Sequence, residues 1–183
     1  NYIADNISMD AAGFWQGIIK ISEVYLLIVT SSLGVYYMPK LSQIKQHNEL
    51  REEIFSGYKF IIPVVIIMAL GVYIFRDLSI KILFSDKFMA MSNLFAYQLV
   101  GDVLKVSTWL LSCIMTAKAM TRAYVFTEIF NTIVYILLSV YFINIFGLIG
   151  VTQAFALSYL LSLILMVWIF KDLLFKKKSE IDE

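Results

Sequence analysis

Five long apolar segments constrain this chain more than any other feature. They run approximately over residues 11–37, 60–75, 93–117, 123–143 and 148–170. A helix crosses the hydrocarbon core with about 20 mostly apolar residues, and the second segment reaches this length only if Gly57 and Tyr58 are included. Hydrophobic residues make up 60% of the sequence and charged residues 16%. These features predict an all-α integral membrane protein with a bundle of five transmembrane helices.

Basic residues are distributed unevenly around these segments. Ten of the fifteen Lys and Arg residues lie in alternate loops and in the C-terminal tail, and three lie in the opposite loops. Because cytoplasmic loops carry an excess of Lys and Arg, we expect the N-terminal end on the outer side of the membrane and the C-terminal tail in the cytoplasm.

The flanking segments have simpler interpretations. Residues 1–10 lack an initiator Met and precede the first span, so we expect an outer loop or part of a longer protein. Residues 41–58 mix apolar and charged positions, which is typical of an amphipathic helix on the cytoplasmic surface or of a solvated connector. Residues 171–183 form a basic and then acidic tail whose lysines would anchor at lipid headgroups.

Several function classes have no support in the sequence. Cys113 and His47 are the single cysteine and the single histidine, so neither a disulfide, a zinc cluster nor another metal site is expected. A net charge of +1 argues against a nucleic-acid partner. There is no glycine-rich P-loop for ATP, and no cofactor is indicated.

Polar residues inside two spans fall on narrow stripes at helical spacing. In span one the stripe contains Gln16, Lys20, Glu23, Thr30, Ser31 and Gly34. In span three it contains Gln98, Asp102, Lys105, Trp109, Ser112 and Thr116. Four unpaired charges near the membrane centre would cost on the order of 10 to 14 kcal/mol, so they are expected to line a substrate or ion pathway. The alternative is ion pairs that only fix helix register.

The four charges allow two pairing schemes. If the stripes face each other, Lys20 meets Asp102 and Glu23 meets Lys105. Pairing within each helix, between residues three apart, is the competing arrangement.

Aromatic and acidic residues near the stripes add to the candidate site. Trp15, Tyr25 and Trp109 lie within spans, where they would contact a sugar or pack in the core. Glu128 shares a face of span four with Tyr124, Asn131 and Tyr135. It is expected either at headgroup level, near Arg122 or Lys118, or on the polar face of the bundle. Spans two and five have few polar residues and are expected to face lipid or back the bundle.

Three stretches resemble the polysaccharide flippases of the MOP superfamily, which include those for enterobacterial common antigen and O-antigen. They are "AAGFWQGIIKISEVYLLIVTSSLGVYYMPKLSQI", "FIIPVVIIMALGVYIFRDLSIKILFSDKF" and "YQLVGDVLKVSTWLLSCIMTAKAMTRAYVFTEI". The resemblance implies that the chain forms most of the second of two six-helix lobes, with residues 1–10 as the tail of a preceding helix. The N-terminal lobe would then be a partner from the same protein.

The resemblance also implies a function. Such proteins move an undecaprenyl-pyrophosphate-linked oligosaccharide from the inner to the outer leaflet of the bacterial inner membrane by alternating access, and they are transporters rather than enzymes. Lys20 and Lys105 would hold the pyrophosphate in a cationic, hydrated cavity, and Glu23 and Asp102 would act as their partners or as carboxylates that couple to H⁺ or Na⁺. Other polysaccharide-assembly proteins are possible partners.

Other functions remain open at this point. Within the superfamily, the alternatives are a drug or cation antiporter and a lipid II flippase. Outside it, they are a membrane glycosyltransferase or polymerase, although no Asp-x-Asp motif or large polar loop is present, and a non-transporting scaffold.

Overall fold

The computed structural model describes Ile3 and residues 7–175, and over these residues it contains helices and no strands. The long helices are α1 (Met9–Ser32), α3 (His47–Ile74), α5 (Phe95–Ala117), α6 (Thr121–Phe146) and α7 (Ile149–Ile169). The shorter elements are a π-helical segment (Leu33–Tyr37), α2 (Met38–Gln43), α4 (Arg76–Leu83), a 3₁₀ segment (Asp86–Leu94) and α8 (Lys171–Phe175). Among the described residues, five helices are long and apolar enough to cross a membrane, which confirms the predicted helical membrane bundle.

Local sequence explains two of the helix ends. The Ser8 hydroxyl oxygen accepts a hydrogen bond from the backbone N–H of Ala11 at 3.0 Å, which caps the start of α1. Gly147 follows the end of α6 with a φ of 62°, a conformation that glycine adopts without a steric penalty. The chain therefore reverses between α6 and α7 within a few residues.

The segment expected as a separate amphipathic connector is mostly part of a spanning helix. The chain leaves helical geometry only around Ile44, and α3 then runs without interruption from His47 to Ile74. Ile54 is fully buried, and Lys40 Nζ lies 2.7 Å from Glu53 Oε2. The N-terminal part of α3 therefore packs on the bundle, because its apolar face is continuous with the core. Pro63 consequently lies in the helix interior rather than near its start.

The core forms around α5. Leu110, Leu111, Ile114 and Met115 of this helix are each at most 1% exposed. Helix α7 packs closely along both α5 and α6, which agrees with the expectation that span five backs the bundle. Its buried face consists largely of small residues, namely Gly150, Thr152, Ala154, Ala156, Ser158 and Ser162. Small residues let membrane helices approach closely, which explains how an almost wholly apolar helix becomes central.

Basic side chains join helix ends at one end of the bundle. Arg51 Nε of α3 donates to the backbone oxygen of Leu174 in α8 at 2.9 Å. Lys118 Nζ, just after α5, donates to the backbone oxygen of Ile44, just after α2. Both cations neutralise carbonyl groups that a helix end leaves unpaired.

The closest approach of α5 and α7 gives a testable prediction. A Cβ atom on Gly101 would lie 2.3 Å from Phe155 Cδ1 and 3.3 Å from Ala156 Cα. We expect Gly101→Ala to destabilise the protein by about 1 to 3 kcal/mol, because no space remains between α5 and α7 for the added methyl group. The measurement is thermal unfolding of the complete gene product in detergent.

Gly71→Ala in α3 is the matched control. A Cβ atom at this position meets nothing within 4 Å. The change should be neutral, or stabilising by up to about 1 kcal/mol through helix propensity. Equal unfolding temperatures for the two variants would contradict the close packing of α5 on α7.

Candidate functional site

A cavity of about 990 Å³ lies between α1, α5, α6 and α7. This volume is near the upper end of the range for small-molecule sites. Most of the predicted site residues line it: Trp15, Glu23, Gln98, Asp102, Lys105 and Trp109. Gln16, Lys20 and Tyr25 do not.

Helix α5 presents one polar face to the cavity. Gln98, Asp102, Lys105, Trp109 and Ser112 all line it. Their spacing of three and four residues places them on one side of a helix. The polar stripe predicted for span three therefore faces the cavity over most of its length.

Asp102 is the most buried charged residue of the site, with 1% exposure. The Tyr25 hydroxyl donates to Asp102 Oδ2 at 2.7 Å, and Gln98 Nε2 donates to Oδ1 at 3.3 Å. A buried carboxylate needs such donors, since an unsatisfied charge in an apolar environment is costly. Asp102 therefore connects α5 to α1 at the edge of the cavity.

The hypothesis that Lys20 pairs with Asp102 is wrong. Lys20 Nζ instead lies 2.6 Å from Glu23 Oε2 on the same helix, with side-chain exposures of 72% and 55%. The competing scheme, pairing between residues three apart, describes this contact. The hydrogen bonds from Tyr25 and Gln98 already occupy the Asp102 carboxylate. Glu23 and Lys105 both line the cavity but form no ion pair within 4 Å.

The cavity-facing side of α1 differs from the predicted stripe by about one residue position. It includes Trp15, Ile19, Ser22, Leu26 and Thr30, whereas Gln16 and Lys20 are exposed outside the lining. Tyr25 is buried against Asp102. Tyr25 is thus a packing and hydrogen-bonding residue, and it is not placed to contact a ligand, while Trp15 and Trp109 are.

The charges of the lining are mainly acidic. Lys105 is the only basic residue among the described lining residues, and it is exposed. Three carboxylates accompany it, those of Glu23, Asp102 and Glu128. The expectation of a cationic cavity is therefore wrong for the walls that this chain supplies, because Lys20 points away from the lining.

The wall formed by α6 and α7 adds residues that the sequence only partly indicated. Tyr124, Glu128 and Tyr135 of α6 line the cavity together with Phe155 and Tyr159 of α7. Glu128 therefore lies on the polar face of the bundle. Lys118 is engaged elsewhere, at the oxygen of Ile44. The sequence did not indicate Phe155 and Tyr159 as site residues, because aromatic residues four apart in an apolar helix ordinarily pack in the core.

Metal-binding residues are not clustered in this site. Within the described part of the chain, no three His, Cys, Asp or Glu side chains are placed to hold one metal ion. Cys113 is buried, with 1% exposure, and packs in the core. The polar and aromatic groups of the lining are hydrogen-bonding side chains, aromatic rings, three carboxylates and the Lys105 ammonium group.

Comparison with known proteins identifies relatives of the chain. It is 34% identical over 177 residues to the lipid III flippase of Escherichia coli (strain K12), and equally identical over the same length to that of Shigella flexneri. The aligned region covers 97% of this chain and 42% of each relative. Over nearly its whole length, this chain is similar to the lipid III flippases. The resemblance seen in the sequence is thereby confirmed.

The other comparisons add no further relative. No protein-family model matches the chain, and no solved structure matches it. The chain spans less than half the length of the lipid III flippases that it matches.

The contact between Tyr25 and Asp102 generates a second prediction. Tyr25→Phe removes the donor to a buried carboxylate and should lower stability by about 1 to 2 kcal/mol. Thermal unfolding in detergent measures this loss. Tyr97→Phe on α5 is the control, since Tyr97 is 44% exposed and outside the cavity lining. The same loss from both variants would show that the hydroxyl of Tyr25 has no special role.

Proposed function

We propose that the chain supplies part of the substrate cavity of a flippase in the bacterial inner membrane. The substrate is an undecaprenyl-pyrophosphate-linked oligosaccharide, moved from the inner to the outer leaflet for enterobacterial common antigen or O-antigen synthesis. The similarity to lipid III flippases supports this proposal most directly. The polar cavity among helices suited to membrane crossing provides the structural support.

In this proposal the cavity shelters the polar headgroup while the prenyl chain remains in lipid. Alternating access would come from rocking of this lobe against a second lobe, as in transporters with a site near the bilayer midplane. The N-terminal end of the chain would be periplasmic and the tail cytoplasmic, as the distribution of Lys and Arg favours.

Lys105 is the residue that we assign to the pyrophosphate. Its ammonium group is exposed in the cavity, and it has no ion-pair partner within 4 Å among the described residues. An unpaired lysine in this environment provides a charge-assisted hydrogen bond to a phosphate oxygen. The basic residues of span one do not add to this site, because Lys20 lies outside the lining.

Coupling to H⁺ or Na⁺ would use Glu23 in preference to Asp102. The Glu23 carboxylate is 55% exposed and borders the cavity, so an ion can reach it. The Asp102 carboxylate is enclosed and already accepts two hydrogen bonds. Carboxylates at membrane depth are common elements of ion pathways.

An exporter of organic cations is the second candidate function. The three carboxylates and several aromatic rings of the lining favour it, since aromatic faces and anions attract cationic ligands. The ammonium group of Lys105 in the same cavity counts against it, because it repels a cationic ligand. The two functions therefore predict different effects of replacing Lys105.

Replacement of Lys105 tests the proposal. In the complete gene product, Lys105→Gln should lower surface glycan display about tenfold or more, and Lys105→Arg should retain most of it, because the charge carries the contact. The measurement is complementation of a bacterial strain that lacks its own flippase for the glycan.

Lys81→Gln is the matched control for this experiment. Lys81 is an exposed lysine of α4 outside the cavity lining, so its replacement should leave display unchanged. Normal display from Lys105→Gln at normal protein levels would refute the assignment of Lys105. Increased resistance to lipophilic cations in the same strain would instead support the exporter.

A further inference from the structure

The wall of the cavity formed by α6 and α7 carries chemistry that the pyrophosphate cannot use. Glu128 contributes a carboxylate, and Tyr124, Tyr135, Phe155 and Tyr159 contribute four aromatic rings. Lys105 lies on a different helix, α5. Lys105 shares the α1 and α5 side with Glu23 and Asp102, so the α6–α7 wall is acidic and aromatic and has no basic residue in the lining.

Glu128 lies toward the turn between α5 and α6, because the hydroxyl of the adjacent Thr127 lies 4.0 Å from Met115 Sδ. The α7 rings of the wall lie closer to the level of Lys105. Phe155 packs against Gly101, and the Tyr159 backbone oxygen lies 3.4 Å from the Thr108 hydroxyl.

The rings of this wall are held in place by one another. Phe155 lies edge-on to Tyr135, with centroids 6.1 Å apart, and edge-on to Tyr159, with centroids 5.0 Å apart. The Ser162 hydroxyl donates to Asn131 Oδ1 at 2.8 Å, which joins α7 to α6 beside them. The wall is thus built before a ligand arrives, which lowers the entropic cost of binding.

We propose that the α6–α7 wall, defined by Tyr124, Glu128, Tyr135, Phe155 and Tyr159, binds the sugars of the lipid-linked substrate. This inference rests on the proposed flippase function. The Glu128 carboxylate accepts hydrogen bonds from sugar O–H and N–H groups and repels a diphosphate. The electron-rich faces of the rings attract the weakly positive C–H faces of a pyranose. The sugars therefore lie against the α6–α7 wall, and the pyrophosphate lies against the side of the cavity that carries Lys105.

Two probes separate the subsites. The first is farnesyl diphosphate, and the second is the same prenyl diphosphate carrying two N-acetylhexosamine units. Dissociation constants are measured on the complete gene product in detergent micelles. Glu128→Ala should weaken the sugar-bearing probe about tenfold and leave farnesyl diphosphate within about twofold of its wild-type affinity. Lys105→Gln should weaken both.

Tyr124 tests the aromatic contribution. Tyr124→Leu should weaken only the sugar-bearing probe, and Tyr124→Phe should retain its affinity, because the ring face makes the contact. Tyr141→Leu is the control, since Tyr141 is an exposed tyrosine of α6 outside the lining. Retained binding of farnesyl diphosphate shows that each variant is folded.

The remaining outcomes are decisive. Equal weakening of both probes by Glu128→Ala, or no weakening of either, would overturn the sugar subsite and leave the flippase proposal standing. Failure of the wild-type protein to bind either probe would overturn the flippase proposal itself. Binding of tetraphenylphosphonium that depends on Glu128, without binding of the sugar-bearing probe, would assign the wall to an organic cation.

Discussion

The cost of an unsatisfied charge in an apolar interior controls how the first and third spanning helices meet. Asp102 has almost no exposed surface, and its oxygens accept hydrogen bonds from Tyr25 and Gln98. Since the Tyr25 hydroxyl must reach this carboxylate, both the rotation of α1 and its axial position against α5 are fixed. The side of α1 that then faces the cavity is the side that carries Trp15, Ser22 and Leu26.

Close packing of small residues determines the opposite wall. Gly101 allows the ring of Phe155 to lie against the backbone of α5, and Gly150 lies against the end of α6 at Phe142. These contacts hold α7 between α5 and α6, with Phe155 and Tyr159 at the cavity. The shape of the cavity wall thus depends on two glycines that do not line the cavity themselves.

The sequence predicted those parts of the molecule in which one periodic signal dominates. The five apolar segments predicted the helical bundle. The polar positions of α5 predicted the side that faces the cavity, because polar residues on a mostly buried helix have few other places to lie. The stripe on α1 was less informative. Lys20 and Glu23 satisfy each other on an exposed face, so their polarity did not indicate which side meets α5.

Other features depend on contacts that a single sequence does not encode locally. The charged residues of the segment 41–58 suggested a connector at the membrane surface. In the structure, Leu50, Ile54 and Gly57 are buried on one face of this segment, which forms the first part of α3. The two α7 residues that line the cavity, Phe155 and Tyr159, were missed because nearly all positions of this helix are apolar. The pattern of small and large residues determines which side of such a helix packs only when a partner helix is known.

The balance of charge in the lining limits how a polyanionic headgroup can lie in this part of the cavity. Lys105 lies on the α1 and α5 side with Glu23 and with Asp102, whose carboxylate accepts hydrogen bonds from Tyr25 and Gln98. Glu128, nearest the turn between α5 and α6, lies on a wall with aromatic residues and no basic residue among the described lining. A diphosphate is therefore repelled from that end and attracted toward Lys105. A neutral, hydroxyl-rich group meets no such barrier, so the charge distribution by itself orients a ligand that has one anionic and one neutral part.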